Sequence, residues 1–174
     1  MKPVCTLILP LFLTLSLFSG CSNKSPEPLM EALQSSDISG ERLWERISEE
    51  APYEDYSQWP GHEGLQPGQS PHGAWHRVYA NKPLVDALPV ADGTAPYGTI
   101  IVKENFTSSR ELDKLTVMAK VEGYNPENND WFWAMLSPEG EVLAEGSPGG
   151  CISCHSGMKY NDYIIIKNLD ESLE

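Results

Sequence analysis

Cys151, Cys154 and His155 lie in the run Cys151-Ile152-Ser153-Cys154-His155. Two thiols three positions apart, followed directly by an imidazole, form the pattern of covalent c-type haem attachment. Each thiol can add to a haem vinyl group, and the adjacent histidine then sits under the iron as an axial ligand. One covalent haem c, with its iron, is therefore the cofactor the residues point to. Two other chemistries use a C-x-x-C pair. A zinc site needs a second ligand pair, and the only other cysteines are Cys5 and Cys21. A redox dithiol should open a helix after a buried strand in a βαβ pattern. Here the motif follows Ser147-Pro148-Gly149-Gly150, which reads as a loop.

The position of the motif bears on the second axial site. Only 19 residues follow His155. Met158 is too close in sequence to reach the opposite haem face, and Met118 and Met135 fall on expected strands, where core packing is the simpler role. A strand-rich body with a terminal haem motif therefore predicts five-coordinate iron with an open distal side, suited to small-ligand chemistry. His72 and His76 are the histidines able to serve as distal groups, against the plainer reading of hydrogen-bonded structural residues. Trp131 and Trp133 share one strand face and read as packing in the core or against the haem. Asp130 reads as a turn cap or an acceptor for a backbone amide.

The elements that must position these groups follow from the pattern along the chain. Lys2, the apolar run Leu7 to Phe18, and Ser19-Gly20-Cys21 make residues 1–20 a signal peptide. The small residues before Cys21 resemble a lipobox, which makes Cys21 the lipidated first residue of the mature protein. An ordinary cleaved signal peptide is the alternative. Residues 21–36, with Pro26 and Pro28, read as a tether, although Glu31 to Ser35 can form a weak helical turn. Residues 37–174 form the haem domain. Ser39 to Glu50 reads as a helix with Ser39 as its N-cap. Pro52, Pro60, Pro67 and Pro71, together with Gly61, Gly64, Gly68 and Gly73, make 51–73 a long loop. Strands are expected over Ala74–Ala80, Thr99–Phe106, Leu115–Val121, Trp131–Leu136 and Glu141–Ala144, with a last apolar run over Tyr163–Lys167. No crossover helices separate them, so the fold class is α+β, mainly an antiparallel sheet with a few N-terminal helices and the haem motif near the C-terminus.

Twelve basic residues against 25 acidic give a net charge of -13. Removing residues 1–20 takes away Lys2 and no acid. Such a surface excludes nucleic acid as a partner and repels anionic lipid headgroups. It suits a basic electron-acceptor cytochrome, and is equally accounted for by solubility. Contact with the membrane is then through the lipid anchor alone, on the periplasmic side of a bacterial membrane, with a soluble periplasmic protein as the alternative.

Gly98-Thr99-Ile100-Ile101-Val102-Lys103-Glu104, Gly123-Tyr124-Asn125-Pro126, Asp130-Trp131-Phe132-Trp133 and the haem motif with Asp162-Tyr163 occur in this order. With His72-Gly73 and Val78-Tyr79-Ala80-Asn81 they make the chain resemble the cytochrome P-460 family over residues 40–167. The resemblance implies a largely antiparallel fold, a homodimer, and one of two activities: hydroxylamine oxidation, or nitric oxide binding as in the β-type cytochromes c′. A six-coordinate electron carrier using Met118 or Met135 is a third possibility. The resemblance also implies that Lys103 bonds its side-chain nitrogen to a haem meso carbon. It further implies a distal carboxylate shortly before the haem motif, and Glu145 is the nearest, a little upstream of the family position. By alternation alone, Lys103 shares a face with Ile101 and Asn105 and can point inward, or can be a surface cation paired with an acid such as Glu104.

Overall fold

The computed structural model describes residues 33–170. The expected signal peptide, Cys21 and most of the tether lie outside the described residues. Ser39 caps the first helix as expected: its Oγ accepts from the Arg42 amide at 3.1 Å. Helix α1 spans Gly40–Glu45 and runs on as a π-helical turn over Arg46–Glu50. Leu43 and Ile47 on its inner face are fully buried. Leu33, which the sequence places in the tether, is partly buried against the same core.

The body is a seven-stranded antiparallel sheet. Its strands are β1 (Ser57–Gln58), β2 (Gln66–Pro67), β3 (Trp75–Ala80), β4 (Ile100–Phe106), β5 (Leu112–Lys120), β6 (Trp131–Leu136) and β7 (Val142–Gly146). The order is β1-β3-β4-β5-β6-β7, with β2 paired to the other end of β3. The expected α+β class and antiparallel pairing hold. Short strands β1 and β2 fall within the Pro/Gly-rich stretch, where two-residue pairings leave no periodic signal.

Side chains alternate between two packed faces. One face carries Val102, Val117, Ala119, Phe132, Ala134 and Leu136 under α1. The other carries Val78, Ala80, Ile101, Met118, Trp131 and Trp133, and is covered by Trp59, Leu84, Tyr163, Ile164 and Leu169. Leu84 comes from helix α2 (Lys82–Ala87), which has no counterpart in the sequence reading. It is six residues long with Pro83 in its first turn, too short for a helical period to show. Asn81, just before it, is buried and anchors the start of β4: its Oδ1 accepts from the Ile100 amide at 2.9 Å and its Nδ2 donates to the Gly98 carbonyl at 2.8 Å.

Two local readings change. Of the expected loop Ser147-Pro148-Gly149-Gly150, the two glycines already belong to helix α3 (Gly149–His155), which carries the haem motif. Tyr163–Lys167 forms no strand. Asp162 and Tyr163 adopt left-handed φ angles of 52° and 65°, and the chain turns there rather than extending.

Candidate haem site

Helix α3 lies on the second sheet face, with Cys151 and Ile152 partly buried against the cluster that contains Trp133 and Met118. Cys151 is half-buried and Cys154 exposed, and neither forms a disulfide. Three positions apart on a helix, they share a side. Burial pushes the Cys151 thiol up, opposite to the lowered pKa a reactive redox dithiol needs. Among the described residues no group of three or more histidines, cysteines and carboxylates converges to hold a metal ion, so no zinc site completes the pair there.

His155 closes α3 and is oriented from behind. Its Nδ1 lies 2.8 Å from the Tyr163 carbonyl. A carbonyl only accepts, so Nδ1 carries the proton and Nε2 keeps its lone pair. That is the tautomer an axial ligand requires. The Trp133 ring packs edge-on at 4.7 Å from the His155 ring. Burial lowers the His155 pKa, the Tyr163 carbonyl opposes that, and Lys103 reinforces it.

Lys103 comes to the same place from β4. Its backbone partners are Val78 on β3 and Thr116 on β5. Glu104 points to the opposite face, where it accepts from the Tyr53 hydroxyl and from Arg77 Nη1, each at 3.2 Å. The surface pairing of Lys103 with Glu104 is therefore not formed, and among the described residues Lys103 has no ion-pair partner. Burial lowers the Lys103 pKa, which favours the neutral amine.

Three histidines border the site. His76 on β3 sits opposite Asn105, two residues along from Lys103. His62, from the loop, stacks on His76 with its Nε2 3.2 Å from the Nε2 of His76. The His72 ring lies 6.2 Å from the His155 ring. Burial is the main cause that brings His72 and His76 down to about 4, with Lys103 second for both. Both rings are neutral at pH 7. His72 Nδ1, His76 Nδ1, Asn105 Oδ1 and Trp133 Nε1 are buried without a hydrogen-bond partner. So many orphaned polar atoms around one histidine mark a space shaped for a group with its own polar edge. The residues present fit a haem held at Cys151, Cys154 and His155.

Glu145 does not join them. It pairs with Ala134 across β6 and β7, which turns its side chain to the α1 side of the sheet. There its carboxylate accepts from the Gly40 amide at the start of α1. A methyl group on Gly40 would come within 2.8 Å of Glu145 Oε2 and 2.7 Å of Val142, so only glycine permits this contact. Glu145 caps a helix and lies on the wrong face for the haem. Met118 and Met135 are on the haem face, Met118 packed in its core. Asp130 accepts from the Asn125 amide and the Tyr97 hydroxyl, both at 2.9 Å, which bears out its turn role.

Two features escaped the sequence. His62 sits in the Pro/Gly-rich loop, where no period marks its direction. Lys120 and Asp162 form an ion pair with 4% and 0% side-chain exposure, from residues 42 apart. Nothing in either segment alone signals it.

The family model for cytochrome P460 matches residues 53–166, a span containing Lys103, the three histidines and the whole haem motif. Comparison with curated proteins found no match. With a family match over most of the chain and a C-x-x-C-H helix whose imidazole is oriented by the Tyr163 carbonyl, the chain belongs to the cytochrome P460 family and is a c-type, haem- and iron-binding cytochrome.

Proposed function

We propose that this protein is an exported oxidoreductase with one haem c, joined through Cys151 and Cys154, that oxidises hydroxylamine or a similarly small nitrogen compound. Lys103 carries this reading: a desolvated amine without an acidic partner on the haem face. The haem supplies redox chemistry at iron, and a basic acceptor cytochrome takes the electrons. The chain supplies position and proton handling. Lys103 would hold the haem by its side-chain nitrogen at a ring carbon; that bond would replace one N–H and one C–H, the two protons going to solvent and the two electrons, one at a time, to the acceptor cytochrome.

Protons released from the substrate nitrogen need an acceptor. With Glu145 on the far face, that acceptor falls to the neighbouring histidines, and the His76–His62 contact would let one imidazole pass a proton to the next. The low His76 pKa comes partly from the Lys103 charge. A Lys103 nitrogen bonded to the ring and uncharged removes that contribution and makes His76 a better base.

Peptide mass mapping tests the proposal. The fragment bearing Lys103 should be found joined to the haem fragment bearing Cys151 to His155, with a red-shifted Soret band. Lys103→Ala should give an ordinary c-type spectrum and little hydroxylamine oxidation. A Lys103 peptide released free of haem from the wild type would remove the main support. The placement of Glu145 favours a second reading, a nitric oxide binder without turnover. Location belongs to the same proposal: Cys21 is the lipid anchor. Mature protein that begins at another residue and is fully released by osmotic shock would make it a bystander.

A further inference from the structure

A row of aromatic rings leads away from His155. Trp133 packs edge-on against the His155 ring, with centroids 4.7 Å apart. Trp131 stands two residues away on β6, on the same face and in the same buried cluster. Two residues of a strand rise about 7 Å, so two indoles on one face are neighbours. Beyond Trp131 comes Tyr97. The Lys120 Nζ lies 5.3 Å from the Trp131 ring centroid and 5.9 Å from that of Tyr97, and so links the two rings. Trp131 is fully buried, whereas Tyr97 is 52% exposed. The row therefore runs from the iron ligand to solvent.

Packing accounts for two buried indoles, but not for the polar partners along the row. Trp131 Nε1 donates to Asp162 Oδ1 at 3.1 Å. The Tyr97 hydroxyl donates to Oδ2 of the buried Asp130 at 2.9 Å. An exposed tyrosine can give its hydroxyl to water, and this one gives it to a carboxylate. That bond holds the Tyr97 pKa above its ordinary value, so the phenol keeps its proton until an electron leaves. A phenol that has lost an electron is a strong acid, and Asp130 is already in place to take the proton. The Lys120 charge would oppose oxidation of either ring, but Asp162 pairs with it.

We propose that Trp133, Trp131 and Tyr97 form an electron path between the haem and the surface, and that Tyr97 is the one-electron donor that discharges the haem after hydrogen peroxide has oxidised it. Peroxide loses its O–O bond at the iron: one oxygen leaves as water, the other stays, and the haem is two electrons short. Tyr97 returns one electron through Trp131 and Trp133. Its O–H bond breaks, the proton passes to Asp130, and a phenoxyl radical remains. A small phenolic reductant at the surface restores the O–H with one electron and one proton. A second round supplies the second electron, and with two protons the remaining oxygen leaves as water. The inference rests on His155 holding the iron and is independent of hydroxylamine as substrate.

The test treats the purified holoprotein with hydrogen peroxide and a nitrone spin trap, and maps the adduct by peptide mass. The wild type should carry the adduct on Tyr97, and freeze-quench electron paramagnetic resonance should show a tyrosyl radical. Cyanide bound at the haem beforehand should prevent both, which separates the path from direct attack on the surface. Tyr97→Phe should lose the tyrosyl signal and bleach its haem faster. Trp131→Phe should lose the Tyr97 adduct although Tyr97 itself remains. Tyr160 is the internal control: it follows His155 by five residues, is 72% exposed, and gives its hydroxyl to Met158 Sδ at 3.2 Å. An adduct on Tyr160 in place of Tyr97 would overturn the proposal. So would a wild type with no protein radical, a Tyr97 adduct that survives cyanide, or one undiminished in Trp131→Phe. The wild-type adduct decides even where Trp131→Phe fails to load haem. A Tyr97 adduct in a protein whose Lys103 peptide is free of haem would sink the oxidoreductase reading and leave this one standing. A cross-linked protein without the Tyr97 adduct would do the reverse.

Discussion

The Nδ1–H of His155 donates to the carbonyl of Tyr163, a residue held at a left-handed φ of 65° directly after Asp162. The orientation of the iron ligand therefore depends on a turn that its own helix does not contain. That turn is tied down through Asp162. The Asp162 carboxylate accepts from the Ala95 amide at 2.9 Å, Asn129 Nδ2 at 2.8 Å, Trp131 Nε1 at 3.1 Å, and Lys120 Nζ.

Asp162→Asn should be costly for this reason. It leaves Lys120 charged and buried without its counter-ion, a change worth about 3–5 kcal/mol. Urea denaturation of the holoprotein reads the loss. The double variant Lys120→Met with Asp162→Asn should recover a good part of it, since no lone charge remains. The iron–histidine stretching frequency should shift in both, because the Tyr163 carbonyl loses its anchor. A single variant as stable as the wild type would show that the pair does not hold the turn.

Glu145→Ala separates a helix cap from a catalytic carboxylate. Loss of the acceptor at the Gly40 amide should cost about 0.5–2 kcal/mol of stability. The rate of hydroxylamine oxidation should stay within about twofold of wild type. A loss of about a hundredfold or more, the size expected for a general base, would return Glu145 to the mechanism.

His76 should make the protein acid-sensitive. Its pKa falls from 6.5 to about 4 on folding, so the folded state disfavours the proton. The stability this contributes is present in full above 6.5 and is lost as pH falls through the window down to about 4. The melting temperature should drop between pH 7 and pH 4.5, and the drop should be smaller in His76→Gln. An identical decline in both proteins would assign the acid sensitivity to other groups.

The thioether pair gives a direct readout of cofactor attachment. Denatured wild-type protein should keep its haem on a gel. Cys151→Ala combined with Cys154→Ala should lose it, and His155→Ala should keep the covalent bond while its visible spectrum changes. Haem extracted from the wild type by acidified organic solvent would reject the attachment.

Several features are legible in the amino-acid order because their physics is local. The thioether and axial ligands are contiguous, so Cys151, Cys154 and His155 announce haem c without any fold. Alternation along β4 places Lys103 with Ile101 and Asn105, because a strand has a period of two. Ser39 caps α1 within one turn of its own position. Tertiary structure decided the rest. Glu145 is near the haem motif in sequence, yet its register opposite Ala134 sends it to the other face, since a shift of one residue reverses every side chain. His62 meets His76, Lys120 meets Asp162, and His72 faces His155 across separations that no helical or strand period spans. Such meetings are set by how the loops close over the sheet. Loop closure depends on the burial and hydrogen bonding of the whole domain, and leaves no trace in the residues of any one segment.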